Sequence, residues 1–271
     1  MSRNAEPPTH RPQALTVARG VTDVVESLRT NLAGVVETAL GPFTAIFLTE
    51  GCRTLLDRYA LAESAKTVGP IHFLALCAGL LASAVLLVAT AMFVVDCHRR
   101  FLLGSASVPS APRLWPNRRD FQYVWRSLLV GLCVALALAL PLLILARGFL
   151  AIPGGFVVLT LVVGLLGLTG MLALGLKLPA TAIDRDYGIG ASWRATRNVL
   201  PAILGLVIVL LAPLSAVAMA FGSLHALVVA QGLPAMPSLL LLVVFQFAQL
   251  TVFATLFSVI YKQRSGVDIT V

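Results

Sequence analysis

The chain has 271 residues, 58% of them hydrophobic and only 12% charged, with a mean hydropathy of +0.92. Soluble domains carry about 25% charged residues, so composition excludes an ordinary water-soluble domain and points to lipid. The formal charge of +8 raises nucleic acid as a partner. However, the arginines stand between apolar runs, where orientation signals of a membrane protein belong, and no nucleic-acid partner is expected.

Residues 1–13, MSRNAEPPTHRPQ, are polar with no apolar core. They read as a flexible cytoplasmic tail, with neither a signal peptide nor a lipobox. Over residues 14–40, Ala18, Val21, Val25, Leu28, Leu32, Val35 and Ala39 recur at three- and four-residue steps, with Arg19, Asp23, Glu26, Thr30 and Glu37 on the opposite side. That spacing predicts an amphipathic interfacial helix. Gly41-Pro42 is expected to break it. A helical transmembrane domain over 41–265 follows, opening on the weak segment FTAIFLTEGCRTLLDRY, whose apolar core is interrupted by Glu50, Arg53, Asp57 and Arg58.

A helix crossing about 30 Å of hydrocarbon needs about 20 mostly apolar residues. Residues 71–95, 127–146, 155–176, 199–221 and 238–261 meet that length, and 199–261 contains no Lys, Arg, Asp or Glu. A short link, 146–155, makes a hairpin between the second and third of these runs. The remaining residues, 266–271, form a C-terminal tail. The fold class is therefore all-α, a polytopic helix bundle of about six spans, five clear and one weak.

Charge placement argues for the sixth span. With both ends inside, only Arg53, Arg58, Lys66 and Arg147 of the 20 Lys and Arg lie outside. With five spans, Arg3, Arg11, Arg19 and Arg29 join them and the asymmetry weakens. The positive-inside rule thus implies six spans with both termini cytoplasmic, in a bacterial inner membrane.

Candidate chemistry is sparse. The loop 96–126 carries Arg99, Arg100, Arg113, Arg118, Arg119 and Arg126 among Trp115, Tyr123 and Trp125. It reads as arginines on lipid phosphates with aromatics in the interfacial belt. Asp96, Cys97 and His98 are adjacent on one helix and point apart, so no metal site is expected. Cys77 and Cys133, inside apolar runs, read as small buried hydrophobes, and none of the four cysteines (Cys52, Cys77, Cys97, Cys133) has a CxxC spacing.

The stretch LPATAIDRDYGIGASWRATRN, 178–198, is the most patterned. Asp184, Arg185 and Asp186 stop the preceding apolar run. Residues 189–197 then form a short interfacial helix with Trp193 at headgroup depth and Arg194 and Arg197 on one face. Asp184, Arg185, Trp193, Arg194 and Arg197 are the candidate lipid-headgroup or partner-docking residues. Pairing of Asp184 or Asp186 with Arg194 or Arg197 would brace the loop. Its structural role is to anchor the next span.

The N-terminal amphipathic segment, the AIPGG hairpin at 151–155 and the apolar run ending in LPATAIDRDYGIGASWRATR resemble YciC-like bacterial inner-membrane proteins. They are also similar to the membrane domain fused to some glycerophosphodiester phosphodiesterases. The resemblance covers the layout of roughly 69–261. It departs from that pattern in the charged first span, in the Arg- and Pro-rich loop, and in having no catalytic domain. It implies a helical membrane domain without an assigned activity.

Within the bundle, Gly164, Gly167 and Gly170 step by three and suit close helix packing, while Gln246 and Gln249 form an intramembrane polar pair expected to hydrogen-bond across helices. There is no HExxH and no Ser-His or carboxylate pair at matching depth. The chain therefore reads as no enzyme, with no catalytic, cofactor or metal residues. A non-enzymatic scaffold or accessory protein in envelope or lipid homeostasis, or in membrane-complex assembly, is the first reading. Its partners are membrane lipids and other membrane proteins. A transporter or permease subunit energised by a separate partner is the alternative, though coupled carriers normally place ionisable groups inside their spans.

Overall fold

Long charge-free runs leave the backbone one way to satisfy its own N–H and C=O groups in lipid, and that is the helix. In the computed structural model, residues 15–63, 70–109, 111–150 and 155–265 are described. Among them the elements are α1 (Val17–Glu63), α2 (Pro70–Leu103), a 3-10 turn (Ser105–Ser107), α3 (Arg118–Leu150), α4 (Gly155–Leu174), α5 (Lys177–Ala182), α6 (Ile189–Thr196), α7 (Leu200–Ala230) and α8 (Met236–Arg264).

Helices α1, α2, α3, α7 and α8 are long and apolar enough to cross a membrane, and α4 is a shorter apolar helix. The protein is an all-α, multi-pass membrane bundle, as the sequence predicts. The tails 1–13 and 266–271, and the link residues 151–154, lie outside the described residues.

Helix α1 corrects the expected domain boundary at 40/41. Gly41-Pro42 does not end the helix, which runs unbroken for 47 residues. Proline removes one N–H and crowds a carbonyl, but a packed bundle tolerates it where neighbours hold the helix. Here Gly41 and Pro42 are both buried, and the backbone carbonyl of Arg113 presses so closely on Gly41 that a Cβ would overlap it. Ile46, fully buried, shares a core with Phe93 of α2 and Val243 of α8. Phe43 of α1 and Phe93 of α2 both meet the ring of Phe247, at 5.4 and 4.7 Å.

The expected apolar face of α1 holds in part. Val21, Leu28, Val35 and Ala39 pack on the bundle's two cores, and Arg19, Glu26, Thr30 and Glu37 are exposed. Ala18, Val25 and Leu32 of that face point outward with Val36 and Leu40, whereas Val24, Gly34 and Thr38 turn inward. A membrane helix has two apolar surroundings, bundle and lipid, so hydrophobic periodicity alone does not single out the packed face. For the same reason Cys77 and Cys133 lie on the bundle's outside, and Cys97 is the buried cysteine.

A second core joins the N-terminal part of α1 to α7 and α8 around Leu176, Leu206 and Phe257. Gly175 is needed there because the ring of Phe257 occupies the space a Cβ would fill. The glycine stripe packs as expected at two of its three positions: Gly170 faces Val134 and Gly167 faces Leu138 of α3, while Gly164 faces open space.

Candidate functional site

Successive residues of a helix point about 100° apart, so one turn can reach every neighbour at once. The segment DCHRR at the end of α2 does so. Asp96 lies 3.3 Å from the guanidinium of Arg113. Arg113 in turn donates to Asp120 at 2.9 Å and to the Met92 carbonyl at 3.3 Å. Both carboxylates are buried, Asp120 completely.

His98 is fully buried. The Ser258 hydroxyl donates to the Ala254 carbonyl and therefore accepts from His98 Nδ1 at 2.8 Å. Nε2 then accepts from the Tyr123 hydroxyl at 3.4 Å, and a neutral ring satisfies both contacts. Arg99 reaches the Ala182 carbonyl at 3.2 Å and Asp184 at 3.6 Å. Arg100 lies against Gly34 of α1, where only a glycine leaves room for its guanidinium. Four side chains of one α2 turn thus touch α3 and the loop before it, α8, the end of α5, and α1.

The start of α3 is fixed by a reciprocal cap. Asn117 Oδ1 accepts from the N–H groups of Arg119 and Asp120 at 2.9 and 3.2 Å. Asp120 Oδ2 accepts from the Asn117 N–H at 2.7 Å. This is the capping-box arrangement with Asn and Asp in its two positions. The sequence signal for the cap is Asn117 and Asp120 three residues apart, just ahead of the apolar run of α3.

The end of α5 is equally specific. Arg185 N–H bonds to the Ala180 carbonyl and Asp184 N–H to that of Thr181, at 2.9 and 3.1 Å. That pattern is a Schellman cap, and the residue it places in the left-handed region is Asp184, at φ 58°. The turn aims the carboxylate at α3. Arg119 Nε donates to Asp184 Oδ1 and Oδ2 at 2.9 and 3.0 Å, and its Nη2 also donates to Oδ2. These bonds hold the Asp184 carboxyl below the usual carboxylate range, against the opposing effect of partial burial.

Between the start of α3 and the α5–α6 turn lies an open recess of about 620 Å³, lined by Arg118, Arg119, Gln122 and Arg126 on one side and by Thr181, Asp184, Arg185 and Asp186 on the other. Arg126 is steadied by a 3.0 Å hydrogen bond to the Thr181 hydroxyl. Four arginines against two aspartates leave an excess of positive charge in the lining.

These positions correct two expectations and divide the predicted docking set. Asp184 pairs with Arg119 and Arg99, not with Arg194 or Arg197, because the Schellman turn directs it toward α3. The arginines of 96–126 do not share one lipid-facing role: Arg99, Arg100 and Arg113 turn inward to backbone and side-chain acceptors or tight packing, and Tyr123 is buried rather than interfacial. Of the five residues predicted as a docking set, Asp184 and Arg185 line the recess, while Trp193, Arg194 and Arg197 occupy the exposed face of α6.

On the buried face of α6, Ser192 donates to the Ala173 carbonyl at 2.9 Å, and the Thr196 hydroxyl lies 3.0 Å from the same oxygen. Two hydroxyls at i, i+4 thereby satisfy a carbonyl that the end of α4 leaves without a helical partner. Their spacing opposite Trp193, Arg194 and Arg197 was the signal for them.

The intramembrane pair divides likewise. Gln249 donates to the Ser215 hydroxyl of α7 at 2.9 Å, but Gln246 is exposed on the outer surface. Among the described residues, no three His, Cys, Asp or Glu side chains gather to hold a metal ion. No family model, curated protein or solved structure matches the chain.

Proposed function

We propose that this chain is a non-enzymatic scaffold or accessory protein of a bacterial inner membrane, with the arginine-rich end of the bundle and both termini in the cytoplasm. The observation that carries the reading is the DCHRR turn of α2. Its charged and polar side chains are turned onto α1, α8, α3 and the loop before it, and the end of α5. Carriers that couple to ions keep such groups along a path through the spans; here they tie one end of the bundle together. The orientation rests on the asymmetry of Lys and Arg.

Two measurements test this. The full chain in liposomes is expected to permit no swelling in potassium chloride or sucrose gradients, and purification in native lipid particles is expected to recover it in a stoichiometric assembly. Recovery alone, with solute flux, would overturn the scaffold in favour of a permease. For topology, Ser2→Cys in a chain whose four native cysteines are replaced by Ala is expected to resist an impermeant thiol reagent applied to intact spheroplasts. Labelling from outside would refute the six-span orientation.

A further inference from the structure

We infer that the recess between α3 and the α5–α6 turn seats the phosphate of an anionic membrane lipid. The inference deepens the reading above, on which it rests for the recess facing the cytoplasmic leaflet.

Charge comes first. The Arg119–Asp184 pair is internally neutral, which leaves Arg118, Arg126 and Arg185 against Asp186 in the lining. Guanidinium groups suit phosphate because their N–H forks bond two oxygens at once. Arg118, Gln122 and Arg126 follow one another at four-residue steps, so they stand on one face of α3 and converge on the opening. Arg126 is already held by Thr181, so little side-chain freedom is lost when it takes a second partner.

Depth selects a lipid over a free phosphate. On the adjoining face of α3, Phe121, Trp125, Leu128, Leu132 and Leu136 are all exposed. In a membrane bundle such a stripe is the lipid-facing side, and its aromatic end, at Phe121 and Trp125, marks interfacial depth. Arg126 is therefore both in the recess and one residue from the lipid-facing stripe. A phosphate bound here has a path for acyl chains directly beside it. A soluble phosphate gains nothing from that stripe. The recess is also large enough for a headgroup, since ligand clefts run to about 300–1,000 Å³.

The test uses the purified full chain in a neutral detergent, with phosphatidylglycerol, phosphatidylcholine or inorganic phosphate added. Phosphatidylglycerol at about 100 times its Kd is expected to raise Tm by roughly 5–10 °C, and the other two are not. The pair R118Q/R126Q is expected to weaken phosphatidylglycerol binding at least about tenfold. The pair R194Q/R197Q, which removes the same charge from the exposed face of α6, is expected to bind as the parent does.

Equal loss in both pairs would reduce the effect to bulk charge and overturn the site. Equal stabilisation by inorganic phosphate would overturn the lipid assignment. Should R118Q/R126Q melt early without any lipid, a photoactivatable phosphatidylglycerol on the parent chain decides: crosslinks within 117–126 are expected, and crosslinks confined elsewhere refute the site. A chain that conducts solute yet binds phosphatidylglycerol here would sink the scaffold reading and leave this one standing.

Discussion

The sharpest test of the bundle's internal logic is Arg113→Met. The Arg113 side chain is 18% exposed and its two carboxylate partners 7% and 0%. Removing the guanidinium strands Asp96 and Asp120 together, buried and without their shared cation, and Met cannot supply a donor to the Met92 carbonyl. Breaking a buried ion pair by deleting one partner costs about 3–5 kcal/mol, because the surviving charge stays desolvated. At roughly 2–4 °C per kcal/mol for chains of this size, Tm falls by roughly 6–20 °C.

Asp120→Asn behaves differently. Its amide oxygen can still accept from the Asn117 N–H and Arg113 keeps Asp96, but its NH2 then faces the Arg113 guanidinium, so the loss is about 1–3 kcal/mol. The triple variant carrying Asp96→Asn, Arg113→Met and Asp120→Asn removes every charge at once and is expected to recover much of the loss. Intrinsic fluorescence melting in detergent reads all three. Arg113→Met melting within a degree or so of the parent would refute the claim that this triad is a buried structural tie.

Other substitutions probe the remaining contacts. Gly41→Ala raises helix propensity by about 1 kcal/mol but drives a Cβ into the Arg113 carbonyl. It is therefore expected to lower Tm, by the equivalent of about 1–3 kcal/mol; a stabilised variant would refute the close approach. Ser192→Ala and Thr196→Ala each leave the Ala173 carbonyl one hydroxyl, so single changes are mild and the double change costs about 1–3 kcal/mol; a double-mutant cycle that comes out additive refutes the shared role. Asp184 has a carboxyl held below its unfolded value, so its contribution is fully present above the ordinary carboxylate pKa and disappears as pH falls through the lower folded value. Because the pair is half exposed, the effect is about 0–1 kcal/mol. The Tm gap between the parent and Asp184→Asn, a residue that also tolerates the left-handed backbone, is expected to narrow as pH falls below the ordinary carboxylate range, and a gap that stays constant refutes the ion pair.

How much of this was legible depended on range. Four of the five apolar runs, those of α2, α3, α7 and α8, could be read as span-length helices because a span is defined by its own length and lack of charge. Helix α1 could not, since what carries it through Pro42 is distant: the Arg113 carbonyl over Gly41 and the aromatic contact with Phe247. The same limit governs the site. Local spacing marked Asp184 and Arg185, yet their recess is completed by arginines from α3, with Asp184 and Arg119 separated by 65 positions. A sequence pattern shows that an aspartate is followed by arginines ten residues on; it does not show that a Schellman turn will aim that aspartate the other way. Hydroxyls such as Ser192 and Thr196 carry only a weak local signal for a related reason. Small polar residues gain importance only when a helix end with an unpaired carbonyl is placed above them.

On the proposed orientation, the arginines that would set it and the arginines that tie the bundle together are partly the same residues, and the two roles act at different stages. Orientation during insertion depends on Lys and Arg counted near the ends of spans, with Asp and Glu contributing little. Arg99 and Arg113 count at that stage whatever pairs with them later. Once the helices pack, Asp96, Asp120 and Asp184 neutralise much of this charge, and the arginines left at the surface lie in the recess and on α6. The stages are separable. Arg113→Met removes one cation from a large excess on its side, so orientation is expected to survive while stability falls. Labelling of Ser2→Cys in the Arg113→Met background, again with the four native cysteines replaced by Ala, measures the first and melting the second. A label that changes sides while the melting temperature holds would mean that Arg113 acts through charge count alone and that its buried carboxylate contacts contribute nothing.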